Sequence, residues 1–170
     1  LKASQAYSSG NYVECAKHLL KVDKGSLPST TAKNLYTSMK DKAFQNAATQ
    51  LSNSGDASYK AYKYQDALDD YEQSYKYNKS YNTQYQIARC YMFLNKNTDK
   101  ATKYFYDIIN NSGDSDLIRK AANYGLGMTV NSAKEAAAKA KGGSTTTDSK
   151  SDTASSSDSS TSKKSSTKST

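Results

Sequence analysis

Apolar and polar positions succeed one another along most of this chain in steps of three and four. Between Tyr59 and Tyr75 the apolar or small residues fall at 59, 61, 64, 67, 68, 71 and 75, and from Tyr85 to Leu94 at 85, 87, 88, 91 and 94. Those are the steps of amphipathic helices, which turn one stripe of side chains toward a core. No run sustains the two-residue alternation of a half-buried strand, and the single proline, Pro28, stands in a predicted loop. The pattern predicts an all-α protein.

One stripe is longer than the rest. Leu35, Met39, Ala43, Ala47, Leu51 and Gly55 follow one another at four-residue steps. They predict one extended helix from about Thr31 to Ala61, roughly 45 Å long at 1.5 Å per residue. The alternative is two helices broken at Asn53-Ser54-Gly55. Further on, Asn110-Asn111-Ser112-Gly113 ends a helix, and Asp114, Ser115 or Asp116 can cap the next. Its apolar side is Leu117, Ile118, Ala121 and Ala122. The following NSAKEAAAKAKG favours helix but has few large apolar residues, as expected of a partly frayed terminal cap. At the other end, KASQAYSSGNY reads as the last turns of a helix and a turn at Gly10, as in a fragment whose preceding portion is missing.

The helices repeat. Tyr64, Ala67 and Tyr71 recur thirty-four residues later as Thr98, Ala101 and Phe105, and Ala122 lies thirty-four beyond Ala88. This interval is the size of one helix–turn–helix unit, which buries its apolar face only by stacking on neighbours. Cys15 to Ala67 is fifty-two residues, thirty-four plus eighteen. Eighteen residues are about five helical turns, an insertion that keeps the buried stripe in phase.

These stretches resemble the tetratricopeptide repeat family. LSNSGDASYKAYKYQDALDDYEQSYKYN carries the pattern through Leu51, Gly55, Tyr59, Tyr64, Ala67 and Tyr71. The next unit carries it through Ile87, Ala88, Tyr91, Ala101 and Phe105. An earlier unit carries it through Gly10, Tyr12, Leu19 and Val22, with Cys15 in the alanine slot. The proline that usually follows the second helix is Lys79 in the middle unit and is missing from the next. The resemblance covers roughly residues 1–130. It implies a right-handed α–α superhelix, a solenoid of about three repeats that includes the extended helix. It also implies a non-enzymatic protein–protein interaction scaffold whose concave face is lined by the first helix of each repeat. The groove-facing slots are then Thr49, Ser52, Asp56 and Tyr59 in one unit and Asn82, Tyr85, Arg89 and Met92 in the next. Members that clamp a terminal carboxylate use Lys, Asn and Arg there. Here only Asn82 and Arg89 are of that type, and Asp56 opposes such a ligand. The expected occupant is an extended peptide or partner helix held by tyrosine hydroxyls, Arg89 and Met92.

Composition divides the chain in two. Residues 142–170 contain nineteen Ser or Thr among twenty-nine, with no Leu, Ile, Val, Phe or Tyr. Such a segment cannot offset its ordering entropy by burial and is expected to be disordered. Residues 1–141 form the helical domain and carry twenty Lys or Arg against thirteen Asp or Glu, a charge of +7. That basic surface supports an alternative function, the electrostatic binding of nucleic acid or cell-wall polymer. The cations are spread along the helices rather than clustered, so no specific nucleic acid is expected. The Ser/Thr-rich tail and a composition rich in Asn, Lys and Tyr suggest a bacterial surface protein, with any membrane anchor in a missing N-terminal segment.

Candidate chemistry is thin. Cys15 and Cys90 stand seventy-five residues apart without a CxxC or Cys/His cluster, and His18 is the sole histidine. Structural metal sites need more ligands than these supply, so buried thiols, no metal and no cofactor are expected. Asp69, Asp70 and Glu72 read as a solvated helix face. Gly125-Leu126-Gly127 lacks the strand and the third glycine of a phosphate loop. Most of the fifteen tyrosines occupy repeat packing positions, and no catalytic residue is assigned.

Overall fold

A computed structural model describes residues 2–143, and the tail assigned to disorder lies outside the described residues apart from its first two glycines. Those described residues are all helical, with no strand. In order they are α1 (Lys2–Ser8), α2 (Tyr12–Leu20), α3 (Thr30–Lys60), α4 (Tyr64–Tyr77), α5 (Tyr81–Phe93), α6 (Thr98–Asn111), α7 (Ser115–Lys120) and α8 (Val130–Gly142). A 3₁₀ turn, Lys24–Ser26, precedes α3, and a π-helical turn, Ala121–Leu126, continues α7. From α1 to α6 each helix packs on the one before it in sequence; α6 then takes both the π turn and α8.

Local chemistry places most of the boundaries. Asn11, Ser29, Ser80, Asp114 and Thr129 each accept a hydrogen bond from a backbone N–H of the helix they precede. A side-chain cap of this kind contributes about 1 kcal/mol. Three non-glycine residues, Tyr62, Asn95 and Asn97, turn the chain with positive φ in the short connections before α4 and α6. Asparagine tolerates that region; tyrosine there is strained.

The extended helix is continuous from Thr30 to Lys60. The segment that could have broken it is tied to α4 instead of to its own backbone. Ser52 Oγ donates to Ser74 Oγ (2.8 Å), which donates to the carbonyl of Ala48 (2.8 Å). Ser54 Oγ donates to Asp70 (2.6 Å), and the Tyr71 hydroxyl donates to Asp56 (2.6 Å). Gly55 is required by packing. A Cβ there would lie 2.8 Å from the ring of Tyr71, so only a bare α-carbon lets α3 and α4 approach this closely. Tertiary contacts override the turn-forming tendency of Asn-Ser-Gly. The stripe on α3 is shorter than its sequence implies, however: Ala43, Ala47, Leu51 and Gly55 are buried, Met39 is half-buried, and Leu35 is 60% exposed. The early turns are covered on one side only, where the Tyr36 hydroxyl donates to the carbonyl of Leu19 on α2 (3.2 Å).

Small residues mark the helix crossings, since Cys15, Ala67, Ala88, Ala101, Ala121, Ala122, Ala133 and Ala137 are fully buried. Tyr71, Phe105, Ile87 and Ile108 supply the bulk between them. Residues from Ala67 onward form one continuous core, whereas Cys15, Leu19 and Ala43 form a separate small cluster under α1 and α2. Cys15 and Cys90 are buried free thiols. Burial pushes both upward, Cys90 to about 11, so neither is a thiolate near neutral pH. Of the tyrosines only Tyr71, Tyr85 and Tyr91 are buried and Tyr62, Tyr81 and Tyr124 are exposed; the others are half-buried.

Candidate functional site

The repeat interval explains where the molecule opens. Tyr71 and Phe105 are thirty-four residues apart, and so are Gly55 and Arg89. In the first pair of helices Gly55 closes directly onto Tyr71. In the second pair its counterpart is the long side chain of Arg89, and a cleft of about 670 Å³ remains between α5 and the π turn. The buried rings of Tyr85 and Phe105 form its floor, meeting edge to face with centroids 5.9 Å apart. Asn82, Gln86 and Arg89 line the α5 side, with Met92 and Phe93 at the rim. Lys120, Tyr124 and Gly125 close the opposite side.

The π turn shapes that opposite wall. A Cβ at Gly125 would come within 2.7 Å of the Phe105 ring, so this turn rests on Phe105 only because residue 125 is glycine. The wider turn leaves Tyr124 73% exposed beside the cleft. Gly127 ends it with a φ of 64°, a left-handed conformation that glycine adopts freely. Apolar side chains therefore stand in water on both edges: Met92 and Phe93 on one, Tyr124 on the other.

Arg89 is held in place by neutral groups. Its Nη2 donates to the Tyr59 hydroxyl (2.5 Å) and its Nη1 to Gln86 Oε1 (3.1 Å). The guanidinium carbon also lies 4.4 Å from the ring centre of Tyr59 and 5.5 Å from that of Tyr85, a favourable placement against the negative face of each ring. Desolvation raises the hydroxyls of Tyr59 and Tyr85, outweighing the opposing pull of Arg89, so both stay protonated. Lys120 pairs with Asp116 (2.7 Å), which also takes Arg119 (2.5 Å). Hydrogen bonding to Asp116 raises Lys120, and hydrogen bonding to Lys120, then to Arg119, lowers Asp116.

Of the eight positions assigned to a groove, four come together here: Asn82, Tyr85, Arg89 and Met92 line the cleft. Tyr59 reaches it indirectly, by holding Arg89. The other three do not line this cleft. Ser52 and Asp56 are engaged with α4, and the exposed Thr49 donates its hydroxyl to the carbonyl of Gln45 (3.0 Å). The acidic trio is dispersed among partners: Asp70 accepts from Ser54, Asp69 from Gln65, and Glu72 from the Tyr91 hydroxyl. Among the described residues no group of three or more His, Cys, Asp or Glu side chains could hold a metal ion.

Gln86, Phe93, Phe105, Lys120, Tyr124 and Gly125 were not assigned to a site from the sequence, although Phe105 was placed in the repeat pattern and Gly125 was weighed as a phosphate loop. The thirty-four-residue step from Gly55 to Arg89 is the signal that could have marked where the close packing of α3 on α4 gives way, but the sequence expectation did not draw on it. Nothing in the residue types of ANYGLG separates a π turn from an α turn, so its wall was not legible.

No protein-family model, no curated protein and no solved structure matches this chain.

Proposed function

We propose that this chain is a non-enzymatic protein-interaction scaffold, a tetratricopeptide-like solenoid of about three repeats, and that a segment of a partner protein docks in the cleft between α5 and the π turn. The observation that carries this reading is the pairing of a buried aromatic floor with exposed apolar rims. Phe93, stacked by one face on Tyr64, and Tyr124 are both exposed at the cleft above the buried Tyr85 and Phe105, and an amphipathic segment laid between them would cover both rims. Lining chemistry also favours binding over catalysis. Among the described residues the side chains around the cleft are amides, cations, tyrosines and apolar groups, with no histidine or carboxylate in the lining, and burial raises the Tyr85 hydroxyl; general acid–base work calls for a group poised near the working pH.

The test is a display library of random dodecapeptides panned against the whole chain. Recovered peptides are expected to lose at least tenfold in affinity, about 1.4 kcal/mol, in the double variant Met92→Ala/Tyr124→Ala. Both side chains are exposed, so a thermal melt of this variant should match that of the parent. A library that yields no binder, or binders indifferent to both substitutions, would remove the cleft as the docking site.

A further inference from the structure

The cleft contains a positive charge that no described residue neutralises. Arg89 is half-buried, yet among the described residues none of its nitrogens lies within 4.0 Å of a carboxylate oxygen. Its partners are a phenol, an amide oxygen and two ring faces. The phenols cannot supply the missing charge, because burial holds Tyr59 and Tyr85 protonated, and the Cys90 thiol, which follows Arg89 in the chain, is likewise neutral. A partly desolvated cation costs free energy until an anion joins it.

Across the cleft stands a second cation whose counter-ion is easily exchanged. Lys120 and Asp116 form a solvent-exposed pair, and pairs of this kind are worth little. Elsewhere in the fold long cations are engaged differently. Lys100 donates to the Tyr91 hydroxyl, which itself donates to Glu72, so that cation sits within reach of a carboxylate network. Among the described residues Arg89 has no such network.

We infer that the occupant of the cleft is an acidic segment of a partner protein, with a carboxylate side chain paired to Arg89 and a large apolar side chain seated between Phe93 and Tyr124 over the Phe105 ring. This rests on the docking reading above and narrows it. The guanidinium presents a planar fork suited to a carboxylate. The apolar rims call for a hydrocarbon side chain beside the charge, and the helical domain's +7 charge would draw an acidic segment in. A nucleic-acid strand fits less well. Only two cations line the cleft, and Asp116 beside Lys120 would oppose a run of phosphates.

The dodecapeptides that depend on Met92 and Tyr124 provide the test. They are expected to carry Asp or Glu near an aromatic or aliphatic residue. Changing that acid to its amide should weaken binding at least tenfold, with no change to the protein. Arg89→Gln should abolish the difference between acid and amide peptides, and Arg89→Lys should retain part of it. A thermal melt checks that both variants fold, and the peptide-side change decides the matter should either fail. Cleft-dependent peptides that bind equally as acid and amide would overturn the inference while leaving the docking reading intact. A fifteen-residue oligodeoxythymidylate that displaced them and bound more tightly would overturn it in favour of nucleic acid. A library without any cleft-dependent peptide would defeat the docking reading itself.

Discussion

The two ends of α3 serve two different cores. Near its start α3 meets α2 over a cluster of only Cys15, Leu19 and Ala43, with Tyr36, Met39 and Phe44 partly covered and Leu35 left in water. Its last turns feed the continuous core of Tyr71, Ile87, Phe105 and Ile108, reinforced by side-chain hydrogen bonds from Ser52, Ser54 and Asp56 to α4. One helix thus passes from a sparsely covered region to a densely packed one without a break. Helical periodicity is therefore no measure of burial; what decides is whether another helix arrives to cover the stripe.

The largest expected effect tests that contrast directly. Phe105→Ala removes a fully buried ring from the larger core and should cost about 3–5 kcal/mol, read by urea unfolding. Leu19→Ala should cost about 2–3 kcal/mol, and hydrogen exchange should show α1 and α2 losing protection ahead of α4 to α6. Equal loss of protection in every helix would erase the distinction between the two regions. Gly55→Ala examines the tight junction itself. Alanine is the better helix former by about 0.5–1 kcal/mol, yet its methyl would overlap the Tyr71 ring, and a net loss of about 1–3 kcal/mol is expected. A gain in stability would show slack between α3 and α4.

Alkaline pH should weaken the larger core first. The folded pKa of Cys90 is raised from 9.0 to about 11, and Tyr71 is raised above its ordinary 10.0, both chiefly by burial. Above pH 9 the unfolded chain therefore sheds protons that the native state retains, so stability falls with rising pH. The Cys90 contribution is complete below pH 9 and lost by about pH 11. The urea midpoint should accordingly hold from pH 7 to 8.5 and drop by pH 10.5, with Cys90→Ala flattening the early part of that fall. The smallest effect lies in the turn before α4, where Tyr62 has a φ of 62° and is 80% exposed. Tyr62→Gly should relieve left-handed strain, offset by the greater freedom of glycine when unfolded, for a net gain of up to about 1 kcal/mol. A loss would mean that the Tyr62 ring, lying 6.4 Å from Tyr64, supports the fold.

Much of the helix pattern was legible because it depends on spacing alone. Ala67, Ala101 and Cys15 stand buried at the positions assigned to small residues, and the Asp114 cap begins α7. The site was half legible. Asn82, Tyr85, Arg89 and Met92 lie along one face of α5, so their shared edge follows from three- and four-residue steps. Ser52 and Asp56 showed the same spacing, but α4 packs close enough to take their polar groups. Spacing says which residues share a face; it does not say what that face meets.

By itself, then, the sequence determined the helices and the small residues where they cross, consequences of local backbone chemistry and periodicity. Only the tertiary structure decided that α3 runs unbroken, how much of it is covered, where a π turn widens the chain, and that Arg89 sits over two aromatic rings with no carboxylate among the described residues beside it. Those depend on distances between residues far apart in sequence, set by how closely one helix can approach the next: directly at Gly55, and across a cleft at Arg89.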